Sequence, residues 1–370
     1  MEGRLVIVLF GATGYTGRRV AQAMVGRGLR PVLAGRDAGR LSALASRLGS
    51  LDVARADVTD AASMRRLIGG GDVLVSTVGP FIQLGEPALK AAIEAGAVYL
   101  DSTGEPPFIR RVFEEFGPAA QRTGASLITA FGHDYVPGNL AGALALQESQ
   151  TRVHRIEVAY LVSGVARAQV ISRGTFQSAV GLLTEHNYTW RDRIQLEPGG
   201  VRVRILRVGS QEYPAVALGA TEHYALPQLA GPARLSEVDV YFGRCTPVTP
   251  LVRLSCRIIP ALLASPAVRS LVRGIGTFAQ RWVSVEPDAD ALAQVNSHIV
   301  ATAYDPSGAE LAQVRLVSGD PYQLTADLLA WGAHRAAQYG VSGAGALGPV
   351  AAFGLDALAA GAHEVGLRRA

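Results

Sequence analysis

The chain has 370 residues, 49% of them hydrophobic, with a formal net charge of +4 and a mean hydropathy of +0.21. That length is too great for one ordinary core and predicts two lobes separated by a cleft. The mild positive charge is gathered in no single run, which argues against nucleic acid and leaves anionic small molecules as natural partners. No stretch of about 18 residues is apolar and free of charges and turn-formers, so no membrane-spanning helix is predicted.

The opening MEGRLVIVLFGATG enters a buried-strand pattern without a basic leader or cleavage site, and a cytoplasmic location is the expectation. Cys245 and Cys256 stand in no metal-like spacing, so neither a zinc site nor a disulfide framework is expected, and no metal is implied. Lys90 is the single lysine and falls on the solvent side of a predicted helix, which leaves little room for Schiff-base chemistry.

In chain order, 4–10 reads as a buried strand, 16–28 as a helix, 31–35 as a strand, 37–48 as a helix opening on Asp37, and 52–56 as a short strand. Helix 60–69, strand 72–78, helix 86–95, strand 97–100, helix 108–123 and strand 125–130 follow. This alternation predicts a doubly wound parallel Rossmann sheet of six strands. After 131 the grammar changes. Alternating runs at 155–162, 201–208, 237–242, 299–305 and 310–317 predict a second α+β domain on a mostly antiparallel sheet. Helices are expected at about 174–186, in a broken arginine-bearing stretch at 258–282, at 322–338 and at 350–361. The domains expected are 1–131 for nucleotide binding, 132–320 for substrate, and 321–370 as C-terminal helices packing back on the first.

Gly11, Gly14 and Gly17 in FGATGYTG sit at the first strand-to-helix junction. Glycine there lets the chain turn sharply, the backbone approach a pyrophosphate, and the helix pack closely on the sheet. Ala12, Thr13, Tyr15 and Thr16 complete the loop. The second strand ends in AGRD, where an NAD site would carry an acidic residue; Arg36 stands there instead and suits a 2′-phosphate, with Arg40 adding charge. Asp37 reads as a helix cap rather than a ribose ligand. The cofactor expected is therefore NADPH. Asp57 and Val58 fit the adenine edge, against a helix-cap reading of Asp57, and Val78, Gly79 and Pro80 bring backbone beside the dinucleotide path.

With these pieces placed, FGATGYTG at 10–17, AGRD at 34–37, STVGPF at 76–81, GEPALKAAIEAGAVYLDSTGE at 85–105, FGHDYVPGNLA at 131–141, SRGTFQS at 172–178 and GDPYQLTADLL at 319–329 make the chain resemble the saccharopine dehydrogenase-like (saccharopine reductase) family. The resemblance is strongest to the branch that includes mycobacterial trans-acting enoyl reductases. It implies a Rossmann lobe, a second lobe on an antiparallel sheet, and NADP(H). The closing GALGPVAAFG is similar to a family motif but carries Gly348 where threonine is usual.

Hydride transfer needs no protein nucleophile, only an oriented cofactor and a donor for the developing anion. His133 and Tyr135, after the sixth strand, are the expected proton donors; a His133–Asp134 pair that merely fixes the crossover is the competing reading. Tyr99, Asp101 and Glu105 at the end of the fifth strand, with Ser172, Arg173, Thr175 and Phe176 opening a helix of the second lobe, are expected to face substrate, although capping or loop support explains Asp101, Glu105 and Ser172 equally well. Residues 251–282 set Arg253, Arg257, Arg269, Arg273 and Arg281 among large apolar side chains. The simpler expectation is a solvated helix with one packed face; the sharper is a dock for an acyl carrier protein or synthase, a coenzyme A phosphate, or an anionic membrane.

The leading functional expectation is an NADPH-dependent reductase of a C=C bond in a small-molecule or carrier-bound acyl or polyketide thioester. An imine or carbonyl reductase and a non-catalytic NADP sensor are the alternatives. The oligomeric state is left open, with a homodimer compatible.

Overall fold

The computed structural model describes residues 5–164, 176, 180–181, 183–208, 211–231, 235–244, 248–283 and 286–370, with backbone alone at 244, 280 and 289. They divide into two compact units, 1–103 with 108–136 and 322–365, and 104–107 with 137–321 and 366–370. The chain thus returns to the first unit after residue 321.

In the first unit, β1 (Ile7–Phe10), β2 (Val32–Gly35), β3 (Val53–Arg55), β4 (Val73–Ser76), β5 (Val98–Asp101), β6 (Ser126–Ile128) and β15 (Gly345–Ala346) form a sheet in the order β15-β6-β5-β4-β1-β2-β3. Every pairing is parallel. The order reverses at β1, whose neighbours are β2 and β4, and that switch point is where a doubly wound sheet opens a crevice. β1 and β4 are buried throughout as IVLF and VLVS, the continuous apolar signature of a strand covered on both faces. Val8, Phe10, Leu74, Tyr99 and Leu127 pack on one side with helix Glu86–Ala95 and the segment 106–123.

That segment is not the single helix expected over 108–123. Pro106–Arg111 and Gly117–Thr123 are α-helical, with a π-turn at Val112–Phe116 between them. Pro118 has no N–H for the helical ladder, so the turn before it widens. Further on, Trp331 of helix Pro321–Tyr339 stacks on Phe131 at 6.4 Å and meets Phe353 edge-on at 5.2 Å. Arg27 pairs with Glu364 at 2.6 Å, tying helix Tyr15–Gly26 to helix Leu355–Glu364.

The second unit holds β7 (Arg155–Ser163), β8 (His186–Arg191), β9 (Ile194–Pro198), β10 (Val203–Val208), β11 (Gln211–Ala217), β12 (Glu237–Arg244), β13 (Asn296–Tyr304), β14 (Glu310–Ser318) and β16 (Arg368–Arg369). The path runs β10-β11-β12-β7-β13-β14-β16, and β8 pairs with both β12 and β9. All pairings are antiparallel except β7 with β12, which run parallel over eight residues each. Across this sheet the Asp239 carboxylate, 2% exposed, takes hydrogen bonds from Arg191 at 2.8 Å and from Arg202, while Arg204 and Arg155 hold Glu157. Arg191, Arg202 and Arg204 thereby hold strands together, whereas Arg155 and Glu157 lie on the same strand.

The arginine-bearing stretch forms helices Pro250–Leu263 and Pro266–Ala279, bent by 104° at the break. The expectation of one packed apolar face is corrected here. Leu251, Leu254, Ile258, Leu262, Leu271, Ile275, Phe278 and Trp282 are all exposed, and the residues turned inward are small or few, with Leu263 and Gly276 buried. Among the described residues no single helix is long and apolar enough to cross a membrane.

Candidate cofactor site and the adjoining turn

The chain leaves β1 through Gly11 at φ +88°, a conformation that L side chains rarely adopt. A Cβ at Gly11 would also lie 2.8 Å from both Thr77 Oγ1 and Val78 Cγ2, so the turn after β4 packs directly on the loop. Thr77 reinforces this: its backbone N–H and its hydroxyl donate to the Phe10 carbonyl at 2.9 and 3.2 Å. Gly17 is forced by a different contact, because a Cβ there would sit 2.2 Å from the Gly11 carbonyl oxygen. Ala12 and Gly17 are buried, while Gly14 is exposed at the helix N-cap and no side chain caps the helix. The first turn of helix Tyr15–Gly26 therefore presents backbone to a ligand, with the positive end of the helix dipole behind it.

Two guanidinium groups brace the loop. Arg18 donates to the Thr13 carbonyl at 2.9 Å and Arg40 to the same oxygen at 3.5 Å. Arg18 was missed by the sequence reading, although its place one residue past the last loop glycine is a usable signal. Arg36 follows β2 directly and is exposed, as is Arg40. Asp37 caps helix Ala38–Arg47 by accepting from the Arg40 N–H at 3.0 Å. Asp57 closes a turn, accepting from the Thr59 N–H and hydroxyl at 2.9 and 2.8 Å; those bonds, aided by the nearby Arg36 and Arg55 charges, hold its carboxyl below the usual range. The cap of the following helix is Asp60, not Asp57. Val58 and Val78 pack on the edge of the core, Gly79 is exposed, and Pro80 starts the short helix Phe81–Leu84.

Helix Pro321–Tyr339 joins this loop to the turn at 130–135. Tyr322 meets Tyr15 edge-on at 5.3 Å, and Arg19 lies over the same Tyr15 ring at 5.1 Å. One turn further on, Thr325 Oγ1 accepts from the His133 backbone N–H at 3.0 Å. Gly132 makes the approach feasible, since a Cβ there would lie 2.7 Å from the Thr325 methyl. The turn is closed by the Tyr135 N–H on the Ala130 carbonyl at 2.8 Å, and Ala130 itself adopts φ +57°. His133 Nδ1 sits 3.0 Å from Asp134 Oδ1; the histidine is buried and the aspartate half exposed. Tyr135 is buried. The sequence pointed to His133 and Tyr135 but gave no hint of Tyr322 or Thr325, whose partners lie far away in the chain.

Tyr99 and Asp101 are placed differently from the expectation that they face substrate. Tyr99 is fully buried in the core of the first unit. Asp101, also fully buried, accepts from the N–H groups of Thr103 and Ala130 at 2.9 and 2.8 Å and from the Thr129 hydroxyl at 2.8 Å. It pins the end of β5 to the strand leading into the His133 turn. Burial pushes its pKa up to about 6 against those hydrogen bonds, and burial together with the Asp101 charge pushes the Tyr99 phenol well up. Glu105 belongs to the second unit and is half-buried. Ser172, Arg173 and Thr175 lie outside the described residues; Phe176 is helical and half-buried.

The second unit contains a buried polar cluster that sequence reasoning missed. Tyr160 donates to Glu222 Oε1 at 2.7 Å and accepts from the Gly138 N–H at 2.8 Å, while Asn139 donates to Thr221 Oγ1 at 2.8 Å. Next to it, burial drives the His223 pKa down to about 3, so its ring is neutral at physiological pH.

Residues 7–128 match the saccharopine dehydrogenase NADP-binding domain. That span is about a third of the chain. Its glycine cradle and uncapped helix N-terminus fit such a cofactor on physical grounds as well, since side chains at Gly11 or Gly17 would fill the space the loop needs. A protein of Mycobacterium tuberculosis named putative trans-acting enoyl reductase is 36% identical over 141 residues, which cover 36% of this chain and 34% of that protein. A trans-acting enoyl reductase of Mycobacterium ulcerans is 36% identical over 140 residues, with the same shares. These matches thus span about a third of the length of the curated relatives. Apo saccharopine dehydrogenase (L-Glu forming) from Saccharomyces cerevisiae shares the fold over the whole chain, with a TM-score of 0.59 at 11% identity, covering 100% of this chain and 99% of that one.

Proposed function

We propose that the chain is an NADPH-dependent reductase that saturates a C=C bond conjugated to an acyl thioester, acting in trans on a carrier-bound or coenzyme A-bound intermediate. The observation that carries the reading is the match of residues 7–128 to an NADP-binding domain, beside 36% identity over about a third of the chain to proteins named trans-acting enoyl reductase. Bound NADPH supplies the hydride. The loop 11–17 and the helix behind it would hold the pyrophosphate, Arg36 would bind the 2′-phosphate with Arg40 adding charge, and the turn at Val78, Gly79 and Pro80 would line the dinucleotide path.

Hydride addition at the β-carbon of the substrate leaves an enolate, which needs a proton at the α-carbon and a hydrogen-bond donor at the thioester oxygen. His133 and Tyr135 take these two roles, with Asp134 orienting the imidazole and Thr325 and Asp101 holding the turn in place. The test is NADPH consumption by the purified chain with a panel of enoyl thioesters, cyclic imines and ketones. Consumption with enoyl thioesters alone is the expected result. Consumption with imines or ketones alone replaces this reading with C=N or C=O reduction, and tight NADPH binding without turnover on any acceptor replaces it with an NADP-sensing role.

A further inference from the structure

Helices Pro250–Leu263 and Pro266–Ala279 present their apolar stripes to solvent. Leu251, Leu254, Ile258 and Leu262 follow one another at intervals of three or four residues, the spacing of a single helix face, and are 74, 51, 47 and 53% exposed. Leu271, Ile275, Phe278 and Trp282 repeat the pattern at 64, 58, 56 and 70%. A helix on the surface of a globular unit normally turns such a stripe inward. Specific contacts hold it outward here. Leu263 packs where a Cβ on Gly200 would lie 2.5 Å away, Gly276 leaves just enough room for Val180, Arg273 donates to the Thr184 carbonyl at 3.0 Å, and Arg253 pairs with Glu212. Rotating either helix to hide its stripe would break these contacts.

The charge of the segment points to the occupant. Residues 250–282 contain Arg253, Arg257, Arg269, Arg273 and Arg281 and no carboxylate, which is more positive charge than the net +4 of the entire chain. Arg257 and Arg281 are exposed, and Arg281 lies over the Phe278 ring at 5.5 Å, beside the apolar stripe. Apolar side chains with an aromatic pair at one end and flanking arginines are the composition of a helix that lies in the headgroup boundary of a bilayer. Each helix has 14 residues, about 21 Å at 1.5 Å per residue, short of the roughly 30 Å hydrocarbon core, and the 104° bend prevents the pair from acting as one rod. We infer that the pair 250–282 is an interfacial anchor that seats the protein on an anionic lipid surface, with the stripe buried among acyl chains and Arg257 and Arg281 at the phosphates.

The test is flotation of the full chain with vesicles of phosphatidylcholine containing about 30% phosphatidylglycerol, against phosphatidylcholine alone, over rising salt. The wild-type chain is expected to float with the anionic vesicles, to do so less at high salt, and to bind the zwitterionic ones at least about tenfold more weakly. The double variant Leu254→Glu and Phe278→Glu is expected to lose binding by at least about tenfold while keeping wild-type NADPH affinity, which reports that the first unit is intact. Trp282 supplies a second readout, with its emission expected to shift to the blue and to be quenched by brominated lipid. Failure of the wild-type chain to float, undiminished flotation of the double variant, or saturable binding of an acidic acyl carrier protein to this face without any vesicle binding each overturns the inference. None of those results bears on NADPH binding or turnover, so failure here is distinguishable from failure of the reductase reading.

Discussion

The His133 backbone N–H donates to Thr325 Oγ1 at 3.0 Å across 192 residues of sequence, and three residues before Thr325 the Tyr322 ring meets Tyr15 of the glycine loop. One helix face thus sets both the nucleotide loop and the His133 turn in the same unit. Replacing Thr325 with valine keeps the shape against Gly132 but removes the acceptor, leaving a nearly buried N–H unpaired. The expected cost is about 1–3 kcal/mol of stability, read by urea unfolding, together with lower turnover at unchanged NADPH affinity. Wild-type stability and turnover in Thr325→Val would show that the contact is incidental.

His133→Asn and Tyr135→Phe are each expected to lower kcat, by about 100-fold for the proton donor, without weakening NADPH binding. Steady-state kinetics beside a cofactor titration separate the two effects. Full activity in both variants removes the donor assignment.

Much of this could be read from the chain alone, and the omissions have physical causes. β1 and β4 are continuous apolar runs, and helix Glu86–Ala95 ends on Gly96 in the left-handed region, so hydrophobic runs and caps located them well. β8 and β9 went unread because their hairpin turns at Asp192, φ +55°, and β9 is half exposed on both faces, which blurs the alternation. The parallel pairing of β7 with β12 joins strands about 80 residues apart, and no local pattern encodes such a partnership. Periodicity found the stripe on 250–282 but could not say which side of the helix the protein occupies. Tyr99 and Asp101 stood at a strand end, where a site is expected; only packing showed that they face inward.

Asp101 makes stability depend on pH. Its folded pKa of about 6 lies above the ordinary 3.8, so between those values the folded chain binds more protons than the unfolded one. The stability contributed by the protonated carboxyl is fully present below about pH 4 and is lost as pH rises through about 6. Asp101→Asn cannot titrate. The stability of the wild-type chain relative to this variant is therefore expected to fall by about 2 kcal/mol from pH 4 to pH 7, measured by urea unfolding at both pH values. A difference independent of pH would contradict the assignment.

Gly17→Ala places a methyl group against the Gly11 carbonyl oxygen, backbone against backbone, with no flexible side chain to yield. The loop must shift. Loss of about 1–3 kcal/mol of stability and at least about tenfold weaker NADPH binding are expected, by thermal unfolding and fluorescence titration. Gly26→Ala is the matched control, since nothing lies within 4 Å of a Cβ there.

The 2′-phosphate selectivity assigned to Arg36 is tested most directly by titrating the full chain, wild-type and Arg36→Ala, with NADPH and with NADH. The wild-type chain is expected to bind NADPH at least about tenfold more tightly than NADH, and the variant to lose that advantage through weaker NADPH binding alone, with NADH affinity unchanged. Equal affinity of the wild-type chain for the two nucleotides, or undiminished NADPH preference in Arg36→Ala, would contradict it.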